Sequence, residues 1–266
     1  MRKLLLPLVS LGSDAELLPD TADIAEWIAK IKGNEADFIS YETDTLLQAQ
    51  HPAVLYPAAG GKFYTPRLYE VFGIKDTILS NAPELTISTV AGDVRLIKRT
   101  AKKSGFSQFR FSLVSPLSLE YTDKYYHDED EANEALCSAY SALCREMRDL
   151  GVSGTVILSD SPKEIELELL HGNKYLWSVP ENSLEDVLEF SRDIVLPAAS
   201  VPRLDELSDS YTLRNVFIKD ADAASLGKAL ETIDKDHLFT AGYRAADAEK
   251  DYWKKLSELE VTAEEI

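Results

Sequence analysis

The sequence has only two cysteines and four histidines among its 266 residues. Cys137 and Cys144 both fall in "EALCSAYSALCREMRDL". On a helix they share one face two turns apart, too far to bridge. They read as small buried hydrophobes in a reducing cytoplasm. His51, His127, His171 and His237 lie in loops or at segment edges without ligand spacing, so they supply no metal site. Basic residues are also few: 28 Lys and Arg against 46 Asp and Glu give a net charge of -18. That excess repels phosphate backbones and anionic lipid, and so excludes nucleic acid and membrane surfaces as partners. No run approaches the roughly 20 apolar residues that span a bilayer.

What the sequence does have is core-forming material, with 45% hydrophobic and 28% charged residues. That suits a cytoplasmic globular protein folded as one domain over residues 1–266. The opening "MRKLLLPLVSLGSD" could begin a secretory leader. Pro7 interrupts its apolar run, however, and an acidic segment without a small-residue cleavage site follows. It reads as a buried strand ending at Gly12-Ser13.

Apolar runs then alternate with amphipathic segments along the chain. Strands are expected in "ADFISYE", "LTISTVAGDV", "FRFSLVS", "GTVILSD", "KYLWSV", "DIVLPAAS", "LRNVFIKD" and "HLFTAG". The spacing of Ala132, Leu136, Ala139, Leu143 and Met147 predicts a helix over 128–150, with acids in its first turn and Gly151 as its stop. Continuous apolar strands alternating with helices indicate parallel strands covered on the outside. Their number in this length favours a single (β/α)8 TIM barrel. The stretch from Gln48 to Pro83 lacks periodicity and reads as an excursion after the second strand, folded over the barrel mouth.

In such a barrel the chemistry sits at the C-terminal ends of the strands. Those ends carry Gly12-Ser13, Glu42 with Asp44, Ser115-Pro116, Asp160-Ser161-Pro162, Ser178, Ala199-Ser200, Lys219-Asp220 and Ala241-Gly242. Glu42 and Asp160 follow apolar strands directly. Two carboxylates near a hydroxyl and free backbone amides can hold a zwitterionic amino acid, acids to the amine and donors to the carboxylate.

The motifs, in this order, resemble the catalytic barrel of cobalamin-independent methionine synthase, within the uroporphyrinogen decarboxylase-like superfamily. "LPLVSLGS" is similar to that family's first strand, and "ADFISYETD" to its second, which ends in Asp-Gly-Glu. "VAGDV" resembles its Gly-Asp-Val, "FSLVSPLSLEY" its Thr-Gly-Pro strand, "VILSDSP" its Ile-Asp-Glu-Pro strand and "HLFTAGYR" its Asp-Cys-Gly strand. The resemblance implies that Gly12, Ser13, Glu42 and Asp160 form a homocysteine pocket, with catalytic residues unassigned.

The family activates the thiol with zinc, held by a His-x-Cys pair, a glutamate and the cysteine of Asp-Cys-Gly. Here the corresponding positions are Ser178, Pro180, Ala199 and Ala241, none of which binds zinc. No cofactor is therefore expected, and the methyl donor, folate or corrinoid, is left open. The resemblance implies a methyltransferase-like protein binding a homocysteine- or methionine-like amino acid, with a partner protein supplying methyl donor or metal as one variant. The alternative is a non-catalytic small-molecule-binding protein or partner of a methyltransferase. Tetrapyrrole decarboxylation is the weakest reading, because Arg67, Arg95, Arg110 and Arg203 are scattered.

Overall fold

The chain is seen here as a computed structural model, which describes residues 2–15, 21–31 and 37–263. Pro7 divides the opening apolar run in two. Arg2–Leu5 pairs antiparallel with Glu260–Ala263 near the other end of the chain. Beyond the proline comes β1 (Leu8–Ser13), which pairs parallel with the strand Leu238–Arg244. Pro7 has no N–H to offer a ladder, but its carbonyl accepts from Thr240 N–H at 3.0 Å.

The parallel strands continue as β2 (Ala58–Gly60), β3 (Arg110–Val114), β4 (Thr155–Leu158), β5 (Tyr175–Ser178), β6 (Asp193–Pro197), β7 (Asn215–Lys219) and β8 (Leu238–Arg244). They form two four-stranded sheets, ordered β1-β8-β7-β6 and β2-β3-β4-β5. A parallel bridge between Val9 and Tyr56 links the sheets where β1 approaches β2.

Helices lie between the strands: α1 (Thr21–Lys30), α2 (Phe38–Gln48), α3 (Thr65–Val71), α4 (Ser88–Lys103), α5 (Glu129–Leu150), α6 (Glu164–Leu169), α7 (Leu184–Phe190), α8 (Leu204–Ser210), α9 (Ala223–Ala229) and α10 (Tyr252–Ser257). The expected helix over 128–150 is α5. Asp128 caps it by accepting from Glu131 N–H at 3.0 Å, and Gly151 ends it with φ 116°. Cys137 and Cys144 are buried on its inner face, where desolvation pushes both thiols up to about 12.

Helix faces and the outer strand faces share one large core, in which Leu136, Tyr140, Leu143 and Met147 of α5 are fully buried. A second cluster joins Val9, Leu11, Val156, Leu158, Val195 and Phe217, alternate residues on strands of both sheets. Period-two alternation therefore sends one set of side chains outward to the helices and the other to an inner layer.

Two expected strands are helices. "ADFISYE" falls largely in α2, because Asp37 caps that segment by accepting from Ser40 N–H at 2.9 Å. Seven residues of mixed pattern cannot separate a strand from the start of a helix. "LTISTVAGDV" runs into α4, where Val90, Val94, Ile97 and Ala101 are buried at helical spacing. β-branched residues favoured an extended reading, but the buried face decides the outcome. The stretch from Gln48 to Pro83 is not an excursion after the second strand: it supplies β2 itself, then α3 and the short strand Ile78–Leu79.

Candidate functional site

Strand β1 closes on Gly12 and Ser13. Gly12 has φ 115°, and a Cβ there would stand 2.5 Å from Ser112 Oγ on β3, so only glycine fits. The Ser13 hydroxyl is buried and has no hydrogen-bond partner among the described residues. An orphaned buried hydroxyl marks a place that a water or ligand can satisfy. β2 ends at Gly60-Gly61, where a Cβ on Gly61 would lie 1.8 Å from the Ser13 carbonyl oxygen. The second parallel strand thus ends in glycine, not in the expected acid.

Glu42 is buried within α2, not at the end of a strand. Asp44 holds helices together. It accepts from Trp27 Nε1 of α1 at 2.7 Å, from Gln48 Nε2 at 3.0 Å and from the Thr100 hydroxyl of α4.

A cavity of about 420 Å³ opens at the C-terminal strand ends. Asp160 after β4, Ser178 of β5, Ala199 after β6, Lys219 with Asp220 at the end of β7, and Tyr243 of β8 line it, with Lys62 beside them. Of the four residues expected to form the pocket, Asp160 is on this wall and Glu42 is not. Gly12 and Ser13 are tied to it indirectly, through their neighbour Asp14. Tyr243 donates its hydroxyl to Asp14 Oδ1 at 2.5 Å and accepts from Lys62 N–H at 3.0 Å. Burial, and then the bond to Asp14, push the Tyr243 phenol well above its ordinary value, so it stays protonated. Asp220 Oδ1 accepts from Tyr252 OH at 2.8 Å.

The wall therefore carries two carboxylates, two ammonium groups and a phenol. Sequence reading marked Asp160, Lys219 and Asp220 as strand-end residues. It missed Lys62 and Tyr243: Lys62 belongs to a segment read as a flap, and Tyr243 lies one residue past the strand as it was delimited. Ser178, Pro180 and Ala199 line the cavity, and Ala241 is a buried residue of β8. Among the described residues no group of three His, Cys, Asp or Glu could hold a metal. The donor set does not fit zinc.

A buried polar network lies beside α2. Asp93 Oδ1 accepts from Ser40 Oγ at 2.6 Å, while Oδ2 accepts from Tyr64 OH at 2.8 Å and Arg67 Nε at 3.0 Å. The Arg67 guanidinium also reaches Asp37 at 2.5 Å and Glu70 at 3.0 Å. Asp93 is the aspartate of "VAGDV", and its partners hold α2, α3 and α4 together.

No protein-family model and no curated protein sequence matches the chain. Solved structures do. A B12-independent methionine synthase from a Shewanella species, in complex with selenomethionine, superposes with a TM-score of 0.64 at 15% identity, covering 96% of this chain and 95% of that one. The chain has the methionine synthase-type fold. A methyltransferase from Methanosarcina mazei superposes as well, with a TM-score of 0.64 at 12% identity over 95% of this chain and 92% of its own. The homocysteine methyltransferase of Escherichia coli, in its apo form, reaches 0.51 at 12% identity over 95% of each chain. In this chain the C-terminal strand ends carry lysines, acids and a tyrosine. No helix is long and apolar enough to cross a membrane among the described residues.

Proposed function

We propose that this chain binds a small amino acid of the methionine or homocysteine class in the cavity at the C-terminal strand ends. Asp160 takes the ammonium group, and Lys219 and Lys62 take the carboxylate. The observation that carries the reading is the mixed charge of the wall, with Asp160 and Asp220 beside Lys62 and Lys219. A zwitterion is the small ligand that meets both signs at once. A similar fold in complex with selenomethionine, and another that is a homocysteine methyltransferase, support the ligand class.

On the same reading, the two sheets are the eight strands of one (β/α)8 barrel domain. They are joined at β1 and β2 by the Val9–Tyr56 bridge and abut at β5 and β6.

Methyl transfer to a thiol held here would run without zinc. A non-catalytic binding role is the second reading, favoured by Ser178, Pro180, Ala199 and Ala241 standing where the resemblance expects zinc ligands.

Calorimetric titration of methionine and homocysteine into the wild type, Asp160→Asn and Lys219→Met tests the binding site. Each substitution is expected to weaken binding by about tenfold or more, the scale of a hydrogen bond to a charged group. Equal binding by all three proteins, or none, overturns the reading. Supplying methylated folates and corrinoids with homocysteine then separates the two roles, because only an enzyme yields methionine.

A further inference from the structure

A second cavity, of about 270 Å³, lies at the opposite ends of the strands. Its wall includes the first residues of four of them: Arg110 of β3, Tyr175 of β5, Asp193 of β6 and Asn215 of β7. Arg110 heads an inner-layer position, and its guanidinium lies 5.7 Å from the ring centroid of Phe217. Phe217 stacks on Phe239 at 4.9 Å with 21° between the rings, and Tyr56 meets Phe239 edge-on. One side of the cavity is thus a stacked aromatic pair, with a cation over the buried Phe217 ring and the partly buried rings of Phe239 and Tyr56 beside it.

The charge on Arg110 is not neutralised by a bonded partner. Its Nη1 is buried without a hydrogen-bond partner among the described residues. The nearest acid in the wall is already engaged, since Asp193 accepts from Arg214 Nε at 2.9 Å, from Arg214 Nη2 at 2.5 Å and from Asn215 Nδ2 at 2.9 Å. Lys174 adds a further cation to the lining. With Asp193 balanced by Arg214, the cavity is positive within a chain of net charge -18. Burial lowers the proton affinity of Arg110, and the charge of Asp193 offsets only part of that. A guanidinium keeps its proton at any physiological pH, so an anion is what completes this site.

We propose that this cavity binds a small planar carboxylate of benzoate type, its carboxylate on Arg110 and its ring against Phe217 and Phe239. The carboxylate supplies acceptors to the buried Nη1, and the ring supplies the apolar area that the stacked pair presents. This site is separate from the amino-acid cavity and does not depend on it. Nothing in the sequence marks it, because Arg110 stands alone among scattered arginines and Phe217 and Phe239 fall inside expected strands.

The test uses the intact protein with benzoate, benzamide and cyclohexanecarboxylate, followed by calorimetry and thermal melting. Benzoate is expected to bind about tenfold or more tightly than benzamide, which has the same shape but lacks the charge. Cyclohexanecarboxylate, which cannot stack, is expected to fall between them. Arg110→Gln is expected to abolish the preference of benzoate over benzamide, and Phe217→Leu to weaken benzoate while keeping that preference. No binding at millimolar concentration, equal binding of acid and amide, or an unchanged preference in Arg110→Gln overturns the proposal. If Arg110→Gln does not fold, the comparison of benzoate and benzamide on the wild type decides alone.

Discussion

Tyr243, on the last parallel strand, donates its hydroxyl to Asp14, just past the end of the first, across 2.5 Å. The same oxygen accepts the Lys62 backbone N–H at 3.0 Å. One phenol therefore joins three segments at the rim of the C-terminal cavity. Tyr243→Phe removes both bonds while keeping the ring, and leaves the Lys62 amide without this acceptor. Stability is expected to fall by about 1–3 kcal/mol, read as a lower urea midpoint with unchanged slope.

The pH dependence of stability is set on the alkaline side by the buried thiols of Cys137 and Cys144, whose ordinary value is the lower, and then by buried tyrosines. Burial raises the phenols of Tyr64, Tyr140, Tyr243 and Tyr252, and nearby acids or thiols add to the effect. A phenol raised in the folded state is protonated in both states below about pH 10, so its contribution is fully present there. Above that pH the unfolded chain ionises first, and stability drains away with each further rise. Spectroscopic titration of tyrosinate is expected to show these four phenols ionising together with unfolding. Their free titration in a folded protein at pH 10 would contradict the burial.

Asp93→Asn tests the network joining α2, α3 and α4. Arg67 and Asp93 are both buried, with side chains 6% and 4% exposed, and meet at 3.0 Å. Arg67 keeps Asp37 and Glu70 as partners, so what Asp93→Asn removes is the charge behind the bonds from Arg67, Tyr64 and Ser40, and the expected loss is about 1.5–3 kcal/mol by chemical denaturation. An acid-side effect follows from Asp37 in the same network. Burial alone would raise its carboxyl, but Ser40 N–H and the Arg67 guanidinium outweigh it and hold the group below its ordinary value. That contribution is present above the usual aspartate range and is lost as pH falls through the lowered value. Asp37→Asn is therefore expected to flatten the acid limb of the stability curve.

Gly12→Ala is expected to destabilise the chain by about 1–2 kcal/mol through its φ alone, and by more through overlap with Ser112 Oγ. Thermal melting would check this. Gly73→Ala provides the comparison, since its φ is also positive but nothing stands within 4 Å of the added carbon. A loss no larger at Gly12 than at Gly73 would show that β1 and β3 do not approach as closely as described.

From β3 onward the parallel strands were legible in the sequence, because each is a continuous apolar run bounded by turn residues. "FRFSLVS", "GTVILSD" and "KYLWSV" all contain the strands they predicted. The region between β1 and β3 was not. β2 is only three residues long, Ala58–Gly60, and two alanines and a glycine carry no strand signal. With that strand invisible, the nearest apolar stretch, "ADFISYE", took its place, and Glu42 was put at a strand end it does not occupy. Asp160 and Lys219 were legible because they follow long strands. Lys62 and Tyr243 became visible only once tertiary structure set β1 between β2 and β8.

Among the described residues no ladder of backbone bonds joins β5 to β6. The C-terminal cavity straddles that seam, with Ser178 on one side and Pro197 and Lys219 on the other. Its width is therefore governed by side-chain packing across the joint, where the two sheet edges meet like the leaves of a book. A ligand gripping both leaves would act as a clasp. Its arrival would be recorded in slower amide exchange along β5 and β6, at strand positions it never touches.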